Sequence, residues 1–233
     1  MKYTVKPEVF ELEPELRFGI IVARGLKNKE TSADDTARLR KAEEAARGSI
    51  KAEELKQQPI IAGYRKVLEK AGINPNKFIN SMEAMMKRVL KGGQLPTINS
   101  LVDLCNAISI ENQVSLGGHD LADIHDDLSV GFTKGGEKFL PFGAEDYEPV
   151  EAGELVFTSG DVVQTRKWVW RQSELGKMTL DTTDVFFQLT GFDDAPDSPL
   201  SKALDSLEET LKEKFGGTCQ RFMVKPDNRS IEF

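Results

Sequence analysis

Residues 95–120 read LPTINSLVDLCNAISIENQVSLGGHD, and the reading of the fold turns on them. Ile98, Leu101, Val102, Cys105 and Ile108 recur at helical spacing, which predicts an amphipathic helix over 96–109. Pro96 suits a first helical position, where a missing N–H loses no intrahelical partner. After Gly117-Gly118 the pattern changes. Short apolar runs at 128–132, 138–140, 154–157, 161–163, 168–170 and 184–189 alternate with Gly, Pro and Asp turns, as strands do. Lys134-Gly135-Gly136-Glu137 has hairpin chemistry.

Upstream, residues 3–22 alternate loosely and end in an apolar run, predicting one or two strands. Thr31-Ser32-Ala33-Asp34-Asp35 offers capping hydroxyls and first-turn acids, so a charged, surface-lying helix is expected over 34–56, with Gly48 a possible break. Pro59 opens a second helix carrying Ile60, Ile61, Tyr64, Val67 and Leu68 and closed by Gly72. Ser81 and Glu83 open a third, with Met82, Met85, Met86, Val89 and Leu90 as core filling. Downstream, a last amphipathic helix is expected over 200–215 and a strand over 218–224. Helices come first and strands later. The class is α+β, with a mixed or antiparallel sheet behind an N-terminal helical region. The chain is expected to be one domain over 1–233, with a helical, basic sub-region at 30–92 and a motif-bearing core at 95–190.

The 233 residues are 39% hydrophobic and 30% charged, as in ordinary globular proteins. No apolar stretch approaches the ~20 residues of a membrane span, and the N-terminus lacks the apolar run of a signal peptide. Cys105 and Cys219 are far apart and outside any CxxC, which argues against a disulfide framework or structural zinc. A cytoplasmic protein without a membrane partner is expected. The net charge of −7 argues against a general nucleic-acid binder, and no DNA partner is expected. Yet residues 1–100 carry 19 Lys and Arg against 13 Asp and Glu, while residues 101–233 carry 12 against 25. Either one face meets a polyanion, or helices simply hold more cations on solvated surfaces.

Three constellations offer chemistry. Asn99, Asp103 and Asn106 are spaced to share one helix face, where they would present donors and acceptors to a neutral ligand, cap a neighbouring loop or face water. Residues 119–127 hold both histidines and four aspartates; a helix there would align His119, Asp123 and Asp126 for a divalent metal, whereas a solvated turn is the default. Alternation over 166–171 places Trp168 and Trp170 on one strand face and Lys167, Val169 and Arg171 on the other, suited either to base stacking or to sheet core. Glu174 follows as a candidate base or water-positioning group. No P-loop, GxGxxG, HExxH or Ser-His-Asp order is present, so no metal or cofactor is expected.

The segment Leu95–Asn106, followed by Val114-Ser115-Leu116-Gly117-Gly118-His119-Asp120, resembles the B3/B4 domain of the bacterial phenylalanyl-tRNA synthetase β-subunit. That family has P-x-N-x-V-V-D-x-T-N and then P-L-H-A-F-D. Gln172-Ser173-Glu174 and Thr182-Thr183-Asp184-Val185-Phe186-Phe187-Gln188 are similar to its G-G-E and T-T-x-[IV]-L-L-E segments, and W-x-W-R-x-S-E is similar to the stand-alone B3/B4 proteins. The synthetase module hydrolyses tyrosine misattached to the phenylalanine tRNA. The resemblance therefore implies a pocket with Asn106 as a hydrogen-bonding wall and Glu174 recognising the amino acid or orienting water. Gly117, Gly118, His119 and Ser173 are expected to bind substrate beside Asn106, with Asn99 and Asp103 as supporting groups of the same site, and backbone N–H groups near Gly117-Gly118 would stabilise an oxyanion. Cys105 stands at the family's threonine and Gly117 at its histidine, with His119 two residues on.

The expected function is tRNA binding at the acylated 3′ end with hydrolysis of a mischarged amino acid, without ligase activity. Arg38, Arg40, Lys41, Arg65, Lys66, Lys87, Arg88 and Arg171 would meet phosphates. The alternatives are a non-catalytic RNA- or ligand-binding module and, less favoured, a metal-dependent hydrolase using His119, His125 and nearby aspartates.

Overall fold

The computed structural model describes residues 1–233. The class is α+β, with an N-terminal helical region and two sheets. The four-stranded sheet is antiparallel and runs β11 (Thr218–Val224), β2 (Arg17–Arg24), β10 (Val185–Gly191), β3 (Ser115–Asp120). A larger mixed sheet runs β12 (Ser230–Glu232), β1 (Lys2–Val5), β4 (Leu128–Phe132), β7 (Leu155–Ser159), β8 (Val162–Arg166), β5 (Lys138–Phe139), β6 (Glu148–Pro149), with β9 (Arg171–Gln172) on β8. In it β1 pairs parallel with β4, and β5 parallel with β8.

Every residue of β10 is buried, because both faces of the small sheet are covered. Val185, Phe187 and Leu189 pack under α5 (Ser100–Asn112) and α6 (Pro199–Thr210). Phe186 turns the other way, into the core shared with Tyr3, Leu128 and Phe157 of the large sheet. That core also receives α2 (Ala33–Ser49), α3 (Pro59–Lys70) and α4 (Ser81–Leu90).

Several expectations shift. A short helix, α1 (Pro7–Leu12), separates β1 from β2. α2 ends at Ser49 and a 3-10 turn follows at Ala52–Gln57. It is not merely surface-lying, since Leu39, Ala42, Glu43 and Ala46 are buried where it packs on α5. The helix expected from Pro96 begins at Ser100, because Asn99 accepts the Val102 N–H as N-cap and Pro96–Ile98 stays outside it. Ile98 is consequently 60% exposed rather than core. Gly135 and Gly136 do make a left-handed turn, but the strands it joins, β4 and β5, are not partners. Residues 168–170 are no strand. Arg166 and Lys167 both reach the Glu154 carboxylate, and the chain reverses with Lys167 at φ 47° and Trp168 at φ 64°.

Candidate functional site

β3 is an edge strand, and above its edge the layers leave a cleft of about 200 Å³. α4 contributes Ser81 and Met85, and α5 contributes Asn106. β3 contributes Ser115, Leu116, Gly117 and His119, and β10 contributes Gln188 and Thr190. The β8–β9 turn closes it with Trp168, Val169 and Trp170, flanked by Thr165 and Gln172. No side chain in this lining carries a formal charge at neutral pH.

The strand pleat explains who meets whom. Gly117 lies opposite Gln188, and Ser115 opposite Thr190, so these share the face that also bears His119. The Tyr64 hydroxyl accepts the Ser115 N–H and donates to the Thr190 carbonyl, fastening the strand ends. Gln172 Nε2 donates to the Gly118 carbonyl at 3.1 Å, tying the β8–β9 hairpin to the same edge.

Gly117 has ordinary strand backbone, so no conformational need selects glycine there. A Cβ at Gly117 would meet only His119 Nε2, at 3.6 Å. What its missing side chain provides is room opposite Gln188, as where another molecule approaches a strand. Gly118 differs, since a Cβ there would lie 2.7 Å from Met178 Cε; it serves packing.

The cleft is neutral yet polar, and several buried polar atoms in or beside it lack partners. His119 is 3% exposed, with its ring edge-on to Phe157 at 4.8 Å. Burial drives its pKa down to about 4, so the imidazole is neutral at physiological pH. His119 Nδ1, Gln164 Oε1 and Trp168 Nε1 make no hydrogen bond, although such groups are nearly always paired. The first two surround Gly176, where a Cβ would lie 3.4 Å from Nδ1 and 3.1 Å from Oε1. The Asn106 amide, half-buried at the wall, also has no protein partner.

The expected site residues divide. Asn106, Gly117 and His119 come together; Glu174 does not join them. Its carboxylate accepts the Gly143 N–H at 3.1 Å and pairs with Lys177, whose hydrogen bond holds its pKa below the usual carboxylate range. Ser173 is fully buried, donates to the Leu140 carbonyl and accepts the Leu175 N–H. Asn99 donates to the Met178 carbonyl at 3.0 Å while capping α5, and Asp103 accepts the Ile98 N–H and the Thr31 hydroxyl. Both fasten loops, because α5 starts at Ser100 and its first turn faces them rather than the cleft. Cys105 turns into the α6 core, where burial pushes its thiol up, so the family's threonine position lies off this cleft. His119, two residues on from Gly117 and so on the same strand face, brings an imidazole to the cleft lining.

The Asp120 N–H turns outward to the Gly176 carbonyl and the Leu121 N–H inward to that of Asp184. By alternation the Gly117 N–H belongs to the ladder with β10 and is not free for an oxyanion. Nor do His119, Asp123 and Asp126 converge: His119 lies on β3, Asp123 accepts the Gly176 N–H, and no three His, Cys, Asp or Glu side chains form a metal-holding group.

Among the cations, Arg38 pairs with Glu111, Arg40 with Glu43, Arg65 with Glu83 and Lys66 with Glu13. The Arg38 and Arg65 pairs join α2 to α5 and α3 to α4, while the Arg40 pair lies within α2. Lys41, Lys87, Arg88 and Arg171 make no ion pair. Arg88 is exposed on the α4 face that carries Ser81 and Met85, and Arg171 lies between Trp170 and Gln172. Lys87 faces a separate cavity with Lys56 and Lys91.

The sequence model of the B3/4 domain matches residues 63–204, a span that includes every residue lining the cleft. Among solved structures, the chain is similar to an N-terminal fragment of the phenylalanyl-tRNA synthetase β-subunit from Pyrococcus horikoshii. The TM-score is 0.46 at 13% identity, over 95% of this chain and 53% of that one. The chain thus spans about half that fragment's length. No curated protein matches it. No helix is long and apolar enough to cross a membrane.

Proposed function

The chain belongs to the B3/4 domain family, and from that premise we propose that its cleft takes up the aminoacyl group at the 3′ end of a tRNA and hydrolyses a mischarged ester. The observation that supports this most is Gly117: a strand glycine with neither a conformational nor a packing reason, opening toward His119 Nε2 in a cleft whose wall carries the Asn106 amide. Ester hydrolysis needs a positioned water and hydrogen bonds to the oxyanion, which neutral Asn, Gln, Trp and His groups supply in a water-poor site. Glu174 has no part in this reading. Arg88 and Arg171, which make no ion pair and lie beside the cleft, are the cations this reading assigns to the tRNA backbone, while Arg38, Arg40 and Arg65 are engaged with Glu111, Glu43 and Glu83.

A second reading, recognition without turnover, draws support from the absence of any carboxylate or ammonium in the cleft lining and from a His119 too weakly basic to take a proton readily near pH 7. One experiment separates the two. Mischarged tRNAs are incubated with the wild type, Asn106→Ala and Glu174→Ala, with and without EDTA. The proposal expects hydrolysis that resists EDTA, persists in Glu174→Ala and is lost in Asn106→Ala. Tight binding without release of the amino acid supports the second reading. Loss with EDTA points to a metal, and no binding to any tRNA contradicts both.

A further inference from the structure

Gln188 interrupts the apolar run Val185-Phe186-Phe187-Gln188-Leu189 of β10, at the floor of the cleft. Its Oε1 accepts the Tyr3 hydroxyl at 2.7 Å in a buried contact. Tyr3 is fully buried, burial holds its phenol well above the ordinary value, and Gln188 Oε1 is the hydroxyl's one acceptor. Were the amide reversed, the phenolic proton would be buried without an acceptor, a penalty of about 1–3 kcal/mol. Tyr3 therefore sets the amide: the oxygen points to β1 and the –NH₂, a donor with no acceptor capacity, is what remains for the cleft. Trp168 adds a second group of the same kind, a buried indole N–H without a partner. Neither can accept a hydrogen bond. Tyr3 lies outside the span matched by the family model, so the residue that orients this floor comes from the N-terminal strand.

We propose that the cleft selects the amino-acid side chain of its ligand by an acceptor oxygen, met by the Gln188 amide N–H groups and the Trp168 indole N–H, with Tyr3 as the positioning residue. The favoured side chain ends in an oxygen acceptor and carries no cation, since no anion lines the cleft to meet one. This rests on the cleft being the aminoacyl site.

The test uses adenosines carrying the amino acid through a 3′-amide in place of the ester, titrated into the full chain by calorimetry. Methionyl, methionine-sulfoxide and ornithyl probes differ in whether the side chain offers an apolar thioether, an acceptor or an ammonium. The wild type is expected to bind the sulfoxide probe about tenfold tighter than the methionyl one and the ornithyl probe weakest, the size of one buried hydrogen bond. In Gln188→Leu the sulfoxide preference disappears while methionyl affinity stays within about threefold. In Tyr3→Phe the amide is free to turn, so the preference shrinks and the penalty against ornithyl eases. Melting curves establish that each variant is folded. Equal wild-type affinity for sulfoxide and methionyl probes, or an equal loss for both in Gln188→Leu, overturns the selection; if Gly117→Val still abolishes binding, the aminoacyl reading stands without it. No probe binding to the wild type overturns that reading and the selection together.

Discussion

His119 is the one titratable group in the cleft, and its burial makes the fold sensitive to acid in a defined window. Its pKa of about 4 in the native chain lies below the 6.5 of an exposed imidazole. The unfolded chain thus binds the proton first as pH falls. Stability is complete above pH 6.5 and declines toward pH 4, by about 3 kcal/mol in total. Urea unfolding at pH 7 and pH 4.5 should show most of that loss in the wild type and a much smaller one in His119→Gln. Equal losses would contradict the assignment. Of the residues that sequence alone put in one pocket, the structure gathers some into one cleft and leaves others, Glu174 among them, elsewhere. Asn106 and Gly117 do meet, whereas Gln188 was visible only as a polar residue inside an apolar run, and its partner Tyr3 is 185 positions away, beyond any local pattern.

At the scale of elements, the start of α5 decides which polar residues face the cleft. Helical spacing grouped Asn99 and Asp103 with Asn106, but that grouping holds only if the helix already includes residue 99. Asn99 instead caps it and holds the 178 carbonyl, so Asn99→Ala should lower stability by about 1 kcal/mol, measured by denaturant unfolding, with ligand affinity little changed. The turn between β8 and β9 was equally illegible. Alternation made 168–170 look like a strand because no local rule announces that Arg166 and Lys167 share the Glu154 carboxylate, 12 and 13 residues upstream. That ion cluster reverses the chain and swings Trp168 into the cleft. By contrast α3 and α4 follow from their apolar stripes, and Gly72 takes the left-handed conformation expected where α3 closes.

For the whole molecule, the charge split between the N-terminal and C-terminal parts has a structural answer. Of the thirteen Lys and Arg over residues 36–91, six form ion pairs and seven do not, so the fold neutralises only part of the basic excess. Arg65 and its partner Glu83 are nearly buried, and Arg65→Met should lower stability on the order of 3 kcal/mol by leaving that carboxylate uncompensated. If tRNA binds as proposed, Arg88→Ala and Arg171→Ala should each reduce the slope of log affinity against log salt by about 0.7–0.9, and Arg38→Ala should leave the slope unchanged. A net charge of −7 is compatible with so local a contact, because only a few unpaired cations need face the nucleic acid. The claim on which all of this depends is that the space above Gly117 holds the aminoacyl group. It is tested most directly by titrating a 3′-amide-linked aminoacyl-tRNA into the wild type and Gly117→Val, whose β-branched side chain suits a strand while filling the cleft. The account predicts an affinity loss of at least about tenfold in Gly117→Val with an unchanged melting temperature; equal affinity in the two proteins would contradict it.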